Sequence, residues 1–193
     1  MPACTQDQLA REVTGRLEDA LETARIRLGG LAPHQSAWRP SPGAWSVDQC
    51  LAHLIASYDA YLPEIVRATG STAPRAPGTA GFRPNLAGRL IRAGVGPQVG
   101  RRFKTPKIFN PASLELPGPA LEGFIQAYEG LKSRVISTRE LDWHRIKIPS
   151  PVTGLLRPRL GDAYWILAAH AQRHVGQAIR VAESAEFPDS EAA

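Results

Sequence analysis

The sequence predicts an all-α protein: a four-helix bundle with a long, basic, Pro- and Gly-rich insert between its second and third helices. Three observations carry this. Apolar residues recur at three- and four-residue steps over four separate stretches. No stretch alternates polar and apolar residues for long enough to make a convincing strand. Most prolines fall between the four stretches, where helices must end. Four amphipathic helices can bury their stripes against one another, so one domain is expected over residues 1–193, with helices near 6–29, 46–68, 119–138 and 162–184 and the insert near 69–118.

The first helix opens on Thr5-Gln6-Asp7-Gln8, a capping-box pattern, and carries Leu9, Val13, Leu17, Ala20, Leu21, Ala24 and Leu28 at helical spacing. Gly29-Gly30 ends it. After a turn-rich stretch from Pro33 to Gly43, Ser46-Val47-Asp48-Gln49 repeats the capping box, with Trp45 and Cys50 placed as a hydrophobic staple. Val47, Leu51, Leu54, Tyr58, Tyr61 and Ile65 form the inner stripe of this second helix, and Pro63 marks a kink or an early end.

The insert contains Pro74, Pro77, Pro84, Pro97, Pro106, Pro111 and Pro117, which excludes one continuous helix, although Asn85 to Arg92 suits a short helical piece. A connection this long reads as a functional cover or a disordered insert. Ile108 and Phe109 need an apolar place to hide and so mark an anchored stretch. The third helix starts at Pro119 and carries Leu121, Phe124, Ile125, Tyr128, Leu131 and Val135. A loop from Thr138 to Gly161 follows, and Asp162 suits the N-cap of the last helix.

Composition narrows the function classes. The 193 residues, 43% of them apolar, suffice for one sizeable core. No run approaches the roughly 18 apolar residues needed to cross a bilayer, and Met1 to Gln8 lacks the features of a signal peptide. A cytoplasmic, non-membrane protein is expected. Cys4, in a frayed tail, and Cys50, on a helix, read as reduced thiols rather than a disulfide framework. The net charge of +5 is uneven: no acidic residue lies between Glu64 and Glu115, an interval holding Arg67, Arg75, Arg83, Arg89, Arg92, Arg101, Arg102, Lys104 and Lys107. Such a field can steer a carboxylate or phosphate, touch nucleic acid or lie against anionic lipid, and a solvated basic loop explains it equally well.

The chemistry concentrates in the last helix. Its inner stripe reads Ala163, Ile166, Leu167, His170, His174, Gln177, Ala178 and Val181, placing two imidazoles mid-way along the face to be buried. Burying polar groups without partners costs about 1–3 kcal/mol each. Residues at i and i+4 share one face and can bring both rings to one ion at the roughly 2.0–2.1 Å that zinc prefers. Such a pair is equally read as hydrogen-bonded or exposed histidines, so a third ligand matters. His53, at the edge of the second helix's stripe, is the candidate. Three histidines leave coordination positions open for water or substrate. His34 and His144, in loops, read as surface or supporting groups.

Two blocks, Trp45-Ser46-Val47-Asp48-Gln49-Cys50-Leu51-Ala52-His53-Leu54 and His170-Ala171-Gln172-Arg173-His174-Val175-Gly176-Gln177, resemble the DinB-like superfamily in order and separation. Trp38-Arg39-Pro40 and Pro42-Gly43 are similar to that family's lead-in to its second helix. The resemblance implies a bundle whose divalent metal ion, commonly zinc or nickel, is held by His53, His170 and His174; the sequence by itself leaves iron and manganese open as well. The likeness covers most of the chain but nothing of the basic insert. Characterised members of the family include transferases and isomerases dependent on low-molecular-weight thiols, and many others are named metal-dependent hydrolases.

The resulting expectation is a metal-dependent enzyme acting on a small molecule, a thiol transferase or a hydrolase, with a low-molecular-weight thiol or an anionic compound as partner. Arg173, Tyr164, Asp48 and Gln177 are candidates for supporting or substrate-binding roles. The alternatives are a non-catalytic metal- or ligand-binding bundle, with Cys50 or a carboxylate closing the coordination sphere, and nucleic-acid binding through the insert. The last has only Phe82, Phe103 and Phe109 interleaved with the charges and no recognition motif. A homodimer is also open.

Overall fold

The computed structural model describes residues 4–70, 73–95, 109 and 120–189. Among them are six helices and two very short strands: β1 (Cys4–Thr5), α1 (Gln6–Leu28), α2 (Pro33–Ala37), α3 (Val47–Ala68), β2 (Gly81–Phe82), α4 (Leu86–Val95), α5 (Ala120–Ser137) and α6 (Leu160–Ala182). The protein is therefore mostly helical. The four long helices begin and end within about three residues of their predicted bounds.

Capping chemistry sets two of the starts as read from the sequence. Thr5 Oγ1 accepts from the Gln8 amide at 3.2 Å while Gln8 Oε1 accepts from the Thr5 amide at 2.8 Å, and Ser46 and Gln49 repeat the exchange at 3.1 Å each way. The start of α6 differs from expectation. The helix begins at Leu160, and Asp162 is not its N-cap but lies in its first turn, where Oδ2 accepts from the Arg159 amide at 3.2 Å. Pro63 does not end α3, which runs on to Ala68.

α1 packs on α5 and α6, and α3 packs on the same two helices, so the four apolar stripes close round one core. Leu17, Leu51, Leu54, Phe124, Leu131 and Tyr164 are fully buried there. Two features were not anticipated. Cys4 is not frayed: β1 pairs antiparallel with β2, setting Cys4 opposite Phe82. Part of the expected turn region forms α2, where the Ala32 amide donates to Gln35 Oε1 at 3.0 Å.

α4 is the predicted short helical piece, capped by Asn85, whose Oδ1 accepts from the Gly88 amide at 2.8 Å. It lies on α6, and its approach is close. A Cβ on Gly88 would stand 2.2 Å from the Asp162 carboxylate, and Arg92 Nε is 2.9 Å from Asp162 Oδ1. The Arg92 guanidinium also lies 4.6 Å from the Trp165 ring centroid. Residues 88 and 92 thus anchor one face of α4, which leaves the face carrying Ile91 and Val95 to line a cavity.

Much of the basic insert, including Arg101, Arg102, Lys104, Lys107 and Ile108, lies outside the described residues. Of the charges that are described, Arg67 pairs with Glu64 and Arg75 with Glu140. Arg92 is buried against Asp162. Part of the positive run is therefore neutralised within the protein.

Candidate metal centre

α3 and α6 bring His53, His170 and His174 together. Their ring centroids are separated by 4.9 Å (His53 to His170), 4.6 Å (His53 to His174) and 4.5 Å (His170 to His174). One potential ligand nitrogen from each lies within 4.8 Å of the others. His53 Nε2 is 3.1 Å from His170 Nε2. Two nitrogens bound tetrahedrally at zinc–nitrogen distances of 2.0–2.1 Å would be about 3.3 Å apart, so this spacing already suits a shared ion.

Hydrogen bonds aim the rings. His53 Nδ1 lies 2.7 Å from the Phe109 carbonyl oxygen and His174 Nδ1 lies 3.0 Å from Gln177 Oε1. An oxygen of either kind can only accept, so each Nδ1 carries the hydrogen and each Nε2 keeps its lone pair. This is the tautomer that a metal ligand needs, held by the kind of outer hydrogen bond that typically supports one. Trp45 encloses the group, with its ring 4.9 Å from His53 and 5.7 Å from His174.

Electrostatics favour the neutral rings. Burial lowers the His53 pKa, partly opposed by its bond to the Phe109 carbonyl. Burial, followed by the charges of His174, His53 and Arg173, pushes His170 well below its ordinary value. Burial and the charges of His53 and Arg173 take His174 down to about 3, against the opposing bond to Gln177. Each of these shifts favours the unprotonated ring, and a buried cluster of neutral imidazoles fits a divalent cation. Zinc and nickel both accept such a set.

The other candidates separate. Gln177 orients His174, and Arg173 lines the cavity beside it. Tyr164 is buried elsewhere, bonded to Thr138 Oγ1 at 3.0 Å, and Asp48 accepts from Ser36 Oγ at 2.8 Å. His34 meets the Asp189 carbonyl at 3.1 Å, and His144 lies 2.8 Å from an Arg159 nitrogen, so neither joins the cluster. Cys50 is fully buried, and among the described residues neither it nor a carboxylate completes the group of three. The Phe109 carbonyl was missed as a partner of His53. The need to bury Phe109 was the only signal for it.

The three histidines form part of the wall of a cavity of about 360 Å³, bounded by α3, α4, α6 and the 150–156 loop. The sequence model of the DinB superfamily matches residues 16–178, from within α1 to near the end of α6, and so includes all three histidines. The chain belongs to the DinB superfamily. No curated protein matches it, and no solved structure does. DinB membership and the geometry agree on a possible three-histidine metal site, and neither names the ion. No helix among the described residues is long and apolar enough to cross a membrane.

Proposed function

We propose that this DinB-superfamily protein is a metal-dependent enzyme, its four long helices forming the family's four-helix bundle and His53, His170 and His174 holding one divalent ion beside a small-molecule pocket. The observation that carries the reading is the convergence of three neutral imidazoles in the wall of an open cavity. A structural ion would be enclosed by four protein ligands, whereas three protein ligands facing a cavity suit an ion that works on a bound molecule. A divalent ion there supplies Lewis acidity, lowering the pKa of a thiol or water and polarising an electrophile.

The chain's own residues do the rest. His53, His170 and His174 act as ligands only. Gln177 and the Phe109 carbonyl fix two of their tautomers, and Trp45 screens the rings. Arg173, at the cavity wall, adds positive charge beside the site, which favours an anionic nucleophile or substrate. Within this reading the reaction is transfer to or from a low-molecular-weight thiol, or hydrolysis of a small electrophile.

Elemental analysis of untagged protein is the first test. Near-stoichiometric zinc or nickel that disappears in a His170→Ala, His174→Ala double variant supports the centre, and its absence after supplementation overturns it. Assays pairing thiols or water with small electrophiles, with and without metal, then separate transfer from hydrolysis. No turnover in a metal-loaded protein favours a binding protein instead.

A further inference from the structure

The cavity walls specify what the site receives. Ile91 and Val95 from α4, Ile166 and Leu167 from α6, and Val152 and Leu156 from the loop make them largely apolar. Three of the polar side chains among them already have partners within the protein. Ser57 Oγ donates to the His53 carbonyl at 2.7 Å, and Thr153 Oγ1 accepts from the Leu156 amide at 3.2 Å. Arg173 donates to the Gly94 carbonyl at 3.1 Å.

A polar molecule entering this space exchanges water for few new hydrogen bonds, whereas an apolar one gains from leaving water. Leu90 and Val152 line the cavity yet are 57% and 47% exposed, so an apolar collar marks its mouth. At the density of a protein interior, about 360 Å³ accommodates roughly ten to fifteen non-hydrogen atoms.

We propose that the ligand of this site is a medium-sized amphiphile: an apolar chain or ring system of roughly six to ten carbons filling the cavity, with a metal-seeking polar group at the three imidazoles. The proposal rests on the metal-centre reading and adds the substrate class to it. The ion takes the polar end, and the length and width of the apolar part decide which molecules bind.

The test uses the full chain loaded with zinc and a series of straight-chain hydroxamates, from acetohydroxamate to decanohydroxamate, titrated by calorimetry. Affinity is expected to rise about two- to four-fold for each added methylene and to level off as the cavity fills. A Cβ on Gly94 meets nothing within 4 Å, so Gly94→Phe puts a ring into the cavity and is expected to flatten the series while zinc content stays unchanged. Val152→Trp, on the exposed loop, provides a second obstruction if the first variant folds poorly.

Equal affinity along the series, with zinc bound and acetohydroxamate binding, overturns the amphiphile and leaves the metal centre standing. A series that both obstructing variants leave unchanged places the chains elsewhere and also overturns it. Failure to load zinc, with no hydroxamate bound, removes the metal centre and this proposal with it.

Discussion

At the scale of single residues, an imidazole can ligate a metal only through a nitrogen that carries no hydrogen, so whatever fixes its tautomer controls affinity. Gln177 does this for His174 across 3.0 Å. Gln177→Ala is expected to weaken zinc binding about 10- to 100-fold, measured by competition with a chromophoric chelator. His174→Ala, which deletes a ligand, should reduce it further, and equal zinc affinity in Gln177→Ala and the unmodified chain would count against the orienting role. The histidine cluster was legible because His170 and His174 stand one turn apart on an apolar stripe. Their supports were less so. Gln177 was one of several nearby polar residues, and a backbone carbonyl such as that of Phe109 leaves no trace in residue identity. Cys50 follows from burial too: fully buried, its thiol is pushed up to about 12. At pH 8 iodoacetamide should modify the half-buried Cys4 and spare Cys50 until the protein is unfolded with urea, as peptide mass mapping would show. Rapid labelling of Cys50 in the folded protein would contradict its placement.

At the scale of elements, α4 shows how a short helix is held in place. Arg92 is 8% exposed and Asp162 fully buried. Burial lowers the arginine pKa and raises the aspartate pKa, and each opposes the other's shift. Their nearest atoms are 2.9 Å apart, and the Trp165 face and the backbone amides of Asn85 and Arg159 on the carboxylate help hold the pair in place. Removing one partner of such a pair leaves a buried charge alone. Arg92→Ala should therefore cost about 3–5 kcal/mol in urea unfolding, and a loss under 1 kcal/mol would show the pair to be incidental. Gly88→Ala drives a methyl group into the same carboxylate and is expected to cost about 1–3 kcal/mol. The long helices were legible because each carries five or more apolar residues at helical steps. The two-residue strands were not, since two residues define no period. Asp162 suits an N-cap by composition, and only the backbone shows it serving from inside the first turn. The cavity was hidden because its walls come from α4, a loop and two long helices, and no single stretch of sequence records their meeting.

At the scale of the whole molecule, the question is how far the fold depends on the ion. The core extends from Leu9 in α1 to Val181 in α6 and is built from residues of all four long helices, with Trp143 and Ile148 of the connecting loop packed into it. The three histidines lie at one place within this arrangement, and burial favours the neutral form of each, so the site without an ion need not hold a buried charge. The protein should consequently fold without metal, unlike small domains whose only core is the ion. Binding adds stability by mass action alone, about 2.7 kcal/mol when free zinc is a hundred times its dissociation constant. For a chain of this size that corresponds to roughly 5–10 °C in Tm. Protein stripped with a chelator should keep its helical circular dichroism and unfold cooperatively. Zinc should then raise Tm by that amount in the unmodified chain and leave a His53→Ala, His170→Ala, His174→Ala variant unmoved. Loss of helicity on chelation would show that the ion, rather than the apolar stripes, holds α3 against α6, whereas the same zinc shift in the triple variant would place the bound metal away from these histidines.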